Sequence, residues 1–168
     1  MKRFLSVFIL IGFVAFGAFA QAGGPLMAKG DSAASIGFNL WGYGVGGGYE
    51  YMFERWDLAD TIPLTFGAAG KVGVGFQPQA ELTVVGLATV HFSLAPFDLP
   101  SWVQKFDWYY GLGLGMGVLD GFGIGVATGG GVSYHITPKI AILADVISAI
   151  HFNKAAGGIS TIGLQFKL

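Results

Sequence analysis

Apolar side chains recur at every second position through most of this sequence. In residues 64–76 the even positions carry Leu, Phe, Ala, Gly, Val, Val and Phe, whereas the odd positions carry Thr, Gly, Ala, Lys, Gly and Gly. Successive side chains of a β-strand point to opposite faces, so a period of two predicts strands and not helices. The alternation continues, with few exceptions, in residues 81–94, 108–118, 122–136, 140–150 and 162–168. The chain is therefore predicted to be all-β.

Short breaks separate these segments and allow the strands to be counted. Asp120-Gly121 is a tight hairpin signal, and Pro78 and Pro138 interrupt the pattern because proline cannot donate to a strand ladder. Residues 34–53 can form one very long strand or two short strands hinged near residues 44–48. Two strands bring the total to eight, and an even number returns the C-terminus to the side where the barrel begins. We therefore expect eight antiparallel, up-and-down strands.

The first twenty residues have the pattern of an export signal. A basic head, residues 1–3, precedes an apolar run over residues 4–19, and a small-x-small motif ends at Ala20, directly before Gln21. The alternative, a membrane anchor, would need about 20 apolar residues. We expect cleavage between Ala20 and Gln21, so that the mature chain is exported.

The remaining chain divides into a lead-in and one domain. Residues 21–34 are rich in Gly, Ala and polar side chains and are expected to be flexible, and residues 35–168 are expected to form the barrel. No cysteine is present, which excludes disulfides and thiolate metal sites. The formal net charge of −1 gives no basic excess to meet phosphates, so nucleic-acid binding is not expected.

The composition predicts which face of the barrel points outward. In a soluble barrel the apolar face points inward and a charged face meets water. Only 11% of the residues here are charged, and the second face of the strands is mostly Gly, Ser and Thr. An apolar face toward lipid and a small, polar face toward the interior predict a transmembrane β-barrel, whose closed ladder satisfies all backbone polar groups. The alternative is an exported, water-soluble periplasmic β-barrel that binds an apolar ligand.

Aromatic residues cluster near the predicted strand ends. They are Tyr49, Tyr51, Phe53, Trp102, Trp108, Tyr110, Phe152 and Phe166. Such a distribution is typical of the aromatic girdles that membrane barrels place at the two lipid–water interfaces. Ordinary core packing is the alternative interpretation.

Two segments resemble the small outer-membrane β-barrel proteins of Gram-negative-type bacteria. Residues 129–145 are similar to that family's penultimate hairpin, in which a Gly-rich strand ends in Tyr, turns, and returns to an acidic residue. Residues 162–168 are similar to its C-terminal strand, which the barrel assembly machinery recognises, although Leu168 stands where an aromatic is usual and Phe166 lies two residues earlier. The resemblance implies location in the cell outer membrane, with the lipid bilayer and the assembly machinery as partners.

Parity places charged and histidine side chains on the inner face of the predicted barrel. They are Glu50, Lys71, Glu81, His91, His135 and Asp145. Charges withdrawn from water must be paired, so a packed network of ion pairs and hydrogen bonds is one interpretation. The other is a polar lining for a narrow pore or a small-ligand cavity. Residues expected to fill the remaining lumen are Trp41, Tyr109, Leu143 and Ile147.

No arrangement of residues predicts catalysis, a metal site or a cofactor. His91 and Ser93 are spaced like the pair of an outer-membrane lipid A deacylase, but that pair faces lipid, whereas parity sends this one into the lumen. No His, Asp or Glu cluster has metal-ligand spacing. Other acids are interpreted as solvated loop charges, namely Asp57, Asp60, Asp98 and Asp107.

The connections expected to be longest, residues 54–62 and 96–106, fall at the end where the chain begins. An adhesin would need long loops at the opposite end, so adhesion is disfavoured. We expect a non-enzymatic outer-membrane protein that is structural or at most a narrow conduit for small solutes. A lipid-modifying enzyme is the least favoured alternative.

Overall fold

The computed structural model of the chain describes residues 25–58, 62–78, 80–118, 121–153 and 156–168. The predicted signal peptide and its cleavage site lie outside these residues. Within them the helical structure is a 3-10 turn at Val103–Lys105. No helix in this part of the chain is long and apolar enough to cross a membrane.

Eight strands form a closed antiparallel barrel, in which each strand pairs with its neighbours in sequence and the first pairs with the last. The strands are β1 (Ser32–Asn39), β2 (Gly44–Leu58), β3 (Ile62–Gly75), β4 (Glu81–Ser93), β5 (Phe106–Val118), β6 (Gly123–Thr137), β7 (Ile140–His151) and β8 (Gly157–Lys167). The all-β, up-and-down architecture and the number of strands predicted from the period of two are confirmed.

The segment whose strand count was open forms two strands. β1 and β2 are joined by a turn at residues 40–43, in which Gly42 and Tyr43 have positive φ angles of 80° and 51°. Asn39 pairs with Gly44 directly across this turn. Glycine adopts a positive φ without steric cost, so Gly42 allows the chain to reverse within four residues.

β1 begins at Ser32, three residues before the expected start of the barrel at residue 35. The ladder between β1 and β2 is made by backbone groups, so Ser32 pairs with Tyr51 although the first residues of β1 lack an apolar alternation. Residues 25–31, expected to be part of a flexible lead-in, lie against the barrel mouth, and Met27 is fully buried. Residues 25–31 therefore belong to the folded structure.

The two ends of the barrel carry different connections. We call the end where β1 begins and β8 finishes the terminal end, and the opposite one the far end. The far-end connections are residues 40–43, 76–80, 119–122 and 152–156, and the terminal-end connections are residues 59–61, 94–105 and 138–139. The long connection predicted after β4 is confirmed. The one predicted at residues 54–62 is wrong, because β2 and β3 continue pairing as far as Leu58 and Ile62.

The connection between β4 and β5 packs against the outer wall at the terminal end. Phe97 is 1% exposed and forms an apolar cluster with Ile62 and Leu94. Partly buried residues packed against this cluster are Leu64, Phe92, Leu99, Val103 and Phe106. The connection therefore covers the terminal ends of β3, β4 and β5, which would otherwise expose apolar side chains.

Gly113 on β5 occupies a position where the wall leaves no room for a side chain. A Cβ there would overlap the carbonyl oxygen of Gly86 on β4, whereas a Cβ at Gly86 itself meets nothing within 4 Å. We expect Gly113→Ala to lower the free energy of unfolding by about 1–3 kcal/mol through overpacking. Gly86→Ala, on the paired strand, is the matched control and should leave stability nearly unchanged. Urea unfolding of the barrel in phospholipid vesicles measures both, and equal losses would contradict the steric argument.

Candidate functional site: the barrel lumen

The two faces of the strands differ in polarity and in exposure. Inward-facing polar side chains are almost inaccessible to solvent, among them Thr65, His91 and Asp145. Outward-facing side chains are large, apolar and exposed, as at Ile36 and Leu114. The barrel is therefore inverted relative to a soluble one, with its polar face inside and its apolar face outside.

One buried group of the lumen is centred on His91 of β4. Its Nδ1 lies 2.6 Å from a carboxylate oxygen of Asp107 on β5, and its Nε2 lies 3.0 Å from Oε1 of Glu50 on β2. The hydroxyl of Thr89 donates to the same Glu50 oxygen at 2.5 Å. The histidine ring thus bridges two carboxylates from different strands.

A second buried group is centred on Asp145 of β7. Lys71 Nζ from β3 lies 2.5 Å from Asp145 Oδ2, and the Tyr109 hydroxyl donates to the same oxygen at 2.8 Å. Lys71 also donates to the Tyr109 hydroxyl at 2.6 Å. The other carboxylate oxygen of Asp145 accepts the backbone N–H of Thr161 on β8 at 3.1 Å. Both oxygens of a buried charge are therefore satisfied, as burial requires.

Tyr109 joins the two groups into one. Its ring stacks on that of His91, with centroids 5.3 Å apart and an interplanar angle of 16°. The Lys71 ammonium lies 4.7 Å from the Tyr109 ring centroid. We call the connected set the lumenal network; it consists of Glu50, Lys71, Thr89, His91, Asp107, Tyr109 and Asp145. It links side chains of β2, β3, β4, β5 and β7 across the interior.

The structure brings together four of the six side chains predicted to line the lumen: Glu50, Lys71, His91 and Asp145. The other two face inward elsewhere. Glu81, at the far end, accepts a hydrogen bond from Thr83 at 2.8 Å. His135 lies 3.4 Å from the hydroxyl of Ser133, toward the terminal end.

Asp107 corrects the sequence interpretation of a solvated loop charge. It is 1% exposed, lies on β5 and contacts His91. The apolar alternation in the sequence begins at Trp108, so the predicted strand did not include Asp107. The signal was nevertheless present, because Asp107 has the same parity as Tyr109, whose inward direction was predicted.

Apolar side chains fill the lumen beside the network and toward the far end. The cluster consists of Ala69, Val85, Leu87, Ala127, Ile147, Ala149 and Ile159. Leu143 and Ile147, both expected to fill the interior, are buried, as is Tyr109. Trp41 is different: it lies in the turn at residues 40–43, is partly exposed, and its indole packs against Gly158 at the far end.

The aromatic residues predicted for the interfaces are all exposed on the outside. Tyr49 and Tyr51 lie near the middle of β2 and not at a strand end. Those toward the terminal end are Phe53, Trp102, Trp108, Tyr110 and Phe166, and Phe152 lies at the far end with Phe38, Tyr43, Phe76 and Phe122. Trp102 lies in the β4–β5 connection, edge-on to Phe106 at 6.4 Å. Between these two sets the outward face carries mostly Val, Ile and Leu.

Among the described residues no group of three or more His, Asp or Glu side chains is placed to hold a metal ion. His91 has both ring nitrogens directed at carboxylates, and Ser93 accepts the backbone N–H of Leu26 at 3.1 Å. The two side chains that resembled a catalytic pair therefore have other partners.

Searches against protein-family models and curated proteins match nothing. Two solved structures are similar. The attachment invasion locus protein Ail of Yersinia pestis aligns with a TM-score of 0.52 and 16% identity, over 84% of this chain and 100% of that one. The N-terminal β-barrel domain of Pseudomonas aeruginosa OprF aligns with a TM-score of 0.52 and 15% identity, over 83% of this chain and 98% of that one. Both are eight-stranded outer-membrane barrels. The chain has their fold.

Similarity to outer-membrane barrels agrees with the polar inner face and the apolar outer face of this barrel. At identities of 15–16% the similarity concerns architecture. The packing of the lumen therefore has to be tested on this chain's own residues.

Lys71→Met tests the buried ion pair, because it leaves Asp145 with an uncompensated charge in the lumen. We expect it to lower the free energy of unfolding by about 3–5 kcal/mol. The double variant Lys71→Met/Asp145→Asn, which removes both charges, should be more stable than Lys71→Met alone. Denaturant unfolding in vesicles, followed by tryptophan fluorescence, measures the stability of the unchanged protein, of the single variants Lys71→Met and Asp145→Asn, and of the double variant. Additive losses from the two substitutions would show that the pair does not couple.

Proposed function

We propose that this protein is exported, inserts into the outer membrane, and acts there as a non-enzymatic structural barrel with a closed lumen. The observation that supports this most strongly is the inversion of the barrel. An outward band of Val, Ile and Leu lies between two sets of aromatic residues, while the charged side chains are paired inside. Such a surface is stable against lipid and costly in water.

The distribution of charge supports an orientation with the terminal end in the periplasm. Charged side chains concentrate at the terminal end, where exposed ion pairs join Lys29 to Glu54 and Arg55 to Asp57. In the four far-end connections the sequence contains only Asp120 and Lys154 as charged residues. The far end therefore projects little beyond the membrane surface.

The covered wall at the terminal end supports the same placement. The outward apolar side chains of β3, β4 and β5 are stable in contact with lipid tails. They need a protein cover only where the wall extends into water. The β4–β5 connection, with Phe97 against Ile62 and Leu94, supplies such a cover. We infer that this part of the wall extends beyond the bilayer.

A closed lumen follows from how the interior is filled. The charged side chains of the lumenal network pair with one another, and the apolar cluster around Ile147 and Ile159 occupies the space toward the far end. Eight-stranded barrels are just wide enough for side chains to fill the interior. The paired interior favours a structural role over a conduit. A soluble ligand-binding barrel is disfavoured because its apolar face would have to point inward.

The short far-end connections do not favour a role in adhesion. The Yersinia protein is named for attachment and invasion. A binding role of that kind needs surface at the outer end of the barrel, since binding residues lie disproportionately on loops. Here each far-end connection has only four or five residues.

The C-terminal strand is proposed as the segment that the outer-membrane assembly machinery recognises. Phe166, the penultimate residue of β8, faces outward, and Leu168 follows the strand; both are exposed. The same strand makes the closing pair with β1. By binding β8, the assembly machinery would therefore hold the strand whose pairing with β1 closes the barrel.

Leu114→Arg tests whether the outer wall meets lipid. Leu114 is 63% exposed near the middle of β5, and we expect arginine there to cost about 2–4 kcal/mol of stability in vesicles. Leu58→Arg is the matched control, because Leu58 is 53% exposed at the terminal end of β2 and should cost about 0–1 kcal/mol. Folded fractions on gels of unheated and boiled samples, with denaturant unfolding, measure both. If the two arginine substitutions cost the same stability, and the protein is recovered from the soluble periplasmic fraction, the soluble barrel is favoured.

The closed lumen predicts an absence of channel activity. Purified, folded protein added to planar bilayers should give no discrete conductance steps, because side chains occupy the interior. Conductance steps that disappear on unfolding the same sample would show a conduit and would contradict the structural role.

A further inference from the structure

The segment before β1 crosses the open mouth at the terminal end of the barrel. We call residues 25–31 the strap. The N–H of Leu26 donates to the Ser93 hydroxyl of β4 at 3.1 Å, and the Leu26 carbonyl accepts from Lys167 Nζ of β8 at 3.2 Å. In a ring of eight strands β4 and β8 are four positions apart, so they lie on opposite sides. One residue of the strap is thus bonded to both sides of the mouth.

Met27 is buried inside the mouth, against β1 and β2. It is fully buried and forms an apolar cluster with Ala33 of β1 and Met52 of β2, both on the inner face of their strands. A methionine side chain adapts to irregular gaps because it is unbranched and flexible. Met27 therefore occupies the β1–β2 side of the mouth and is shielded from the water outside.

Further bonds hold the strap to the rim. Asp31 pairs with Lys167 at 2.5 Å, and Lys29 pairs with Glu54 at 2.8 Å. Backbone bonds join Gly30 N–H to the carbonyl of Met52 at 2.8 Å, and Met52 N–H to the carbonyl of Asp31 at 2.9 Å. Lys167 makes two of the contacts with the strap, because its Nζ binds both the Leu26 carbonyl and the Asp31 carboxylate.

We propose that the strap is a seal that keeps water and solutes of the terminal-end compartment out of the lumen, and that Lys167 is its latch. The proposal rests on the closed lumen described above. In addition, closure of the lumen at the terminal end depends on the strap, which can move away, and not on the barrel wall alone. A sealed mouth keeps the buried charges in surroundings where their mutual pairing is strong. Release of the latch opens the lumen without unfolding the strands.

Cysteine accessibility tests the seal, because the natural chain has no cysteine. The parent for the test is Ser133→Cys, a small change at a buried position of the inner face of β6. Ser101→Cys, at an exposed position of the β4–β5 connection, gives the rate for an open site. The barrel, residues 21–168, is refolded into vesicles, and a small charged methanethiosulfonate reagent is added. Only material that migrates as folded on unheated gels is counted.

Three variants of the parent loosen the strap in different ways: Lys167→Met, Met27→Asp, and deletion of residues 21–30. Lys139→Met is the matched control, since Lys139 is an exposed lysine in the β6–β7 connection at the same end. Labelling of a buried thiol follows the population of the open form, so loss of a charge-assisted bond should raise the rate at least about tenfold. The control should react at the parent rate.

The outcomes separate the seal from the closed lumen. Slow labelling of the parent, with faster labelling in the folded strap variants, supports both. Slow labelling in every folded variant would overturn the seal and leave the closed lumen standing. Labelling of the parent at the Ser101→Cys rate would show an open lumen and would overturn both.

Discussion

The pairing of β1 with β8 is the interaction on which the rest of the structure depends. Ala33 to Asn39 pair with Lys167 to Thr161 and remove the two sheet edges that an open sheet would leave. In lipid each unpaired backbone N–H or C=O costs several kcal/mol, so a β-sheet can span a bilayer only when its ladder is closed. Closure also creates an interior, and every second side chain must then occupy that interior.

The content of the interior follows from this constraint. Eight strands leave a lumen narrow enough for side chains to fill. Three carboxylates, from Glu50, Asp107 and Asp145, are held there with His91 and Lys71, and Tyr109 connects the pairs. Breaking one partner of a buried pair is costly because the remaining charge has no water to solvate it. The network therefore joins five strands through their side chains, in addition to the backbone ladder.

The two ends of the barrel differ in charge and in the size of their connections. Short, almost uncharged connections finish the far end. The terminal end holds the ion pairs, the covered wall under Phe97, and the strap anchored by Lys167. A barrel with this arrangement has most of its exposed polar surface on the side where the chain begins. The strap lies on that same side of the barrel.

The sequence alone determined the strand periodicity, the number of strands, the polarity of the two faces and the inward direction of Glu50, Lys71, His91 and Asp145, because parity along a strand is a local property. It did not determine which acid pairs with Lys71, which carboxylates contact His91, or the position of residues 25–31. Those depend on which strands face each other across the closed barrel. Asp145 is 74 positions from Lys71 in sequence, and Lys167 is 141 from Leu26. Only closure of the barrel brings such groups together, since local patterns carry no information about contacts across a lumen.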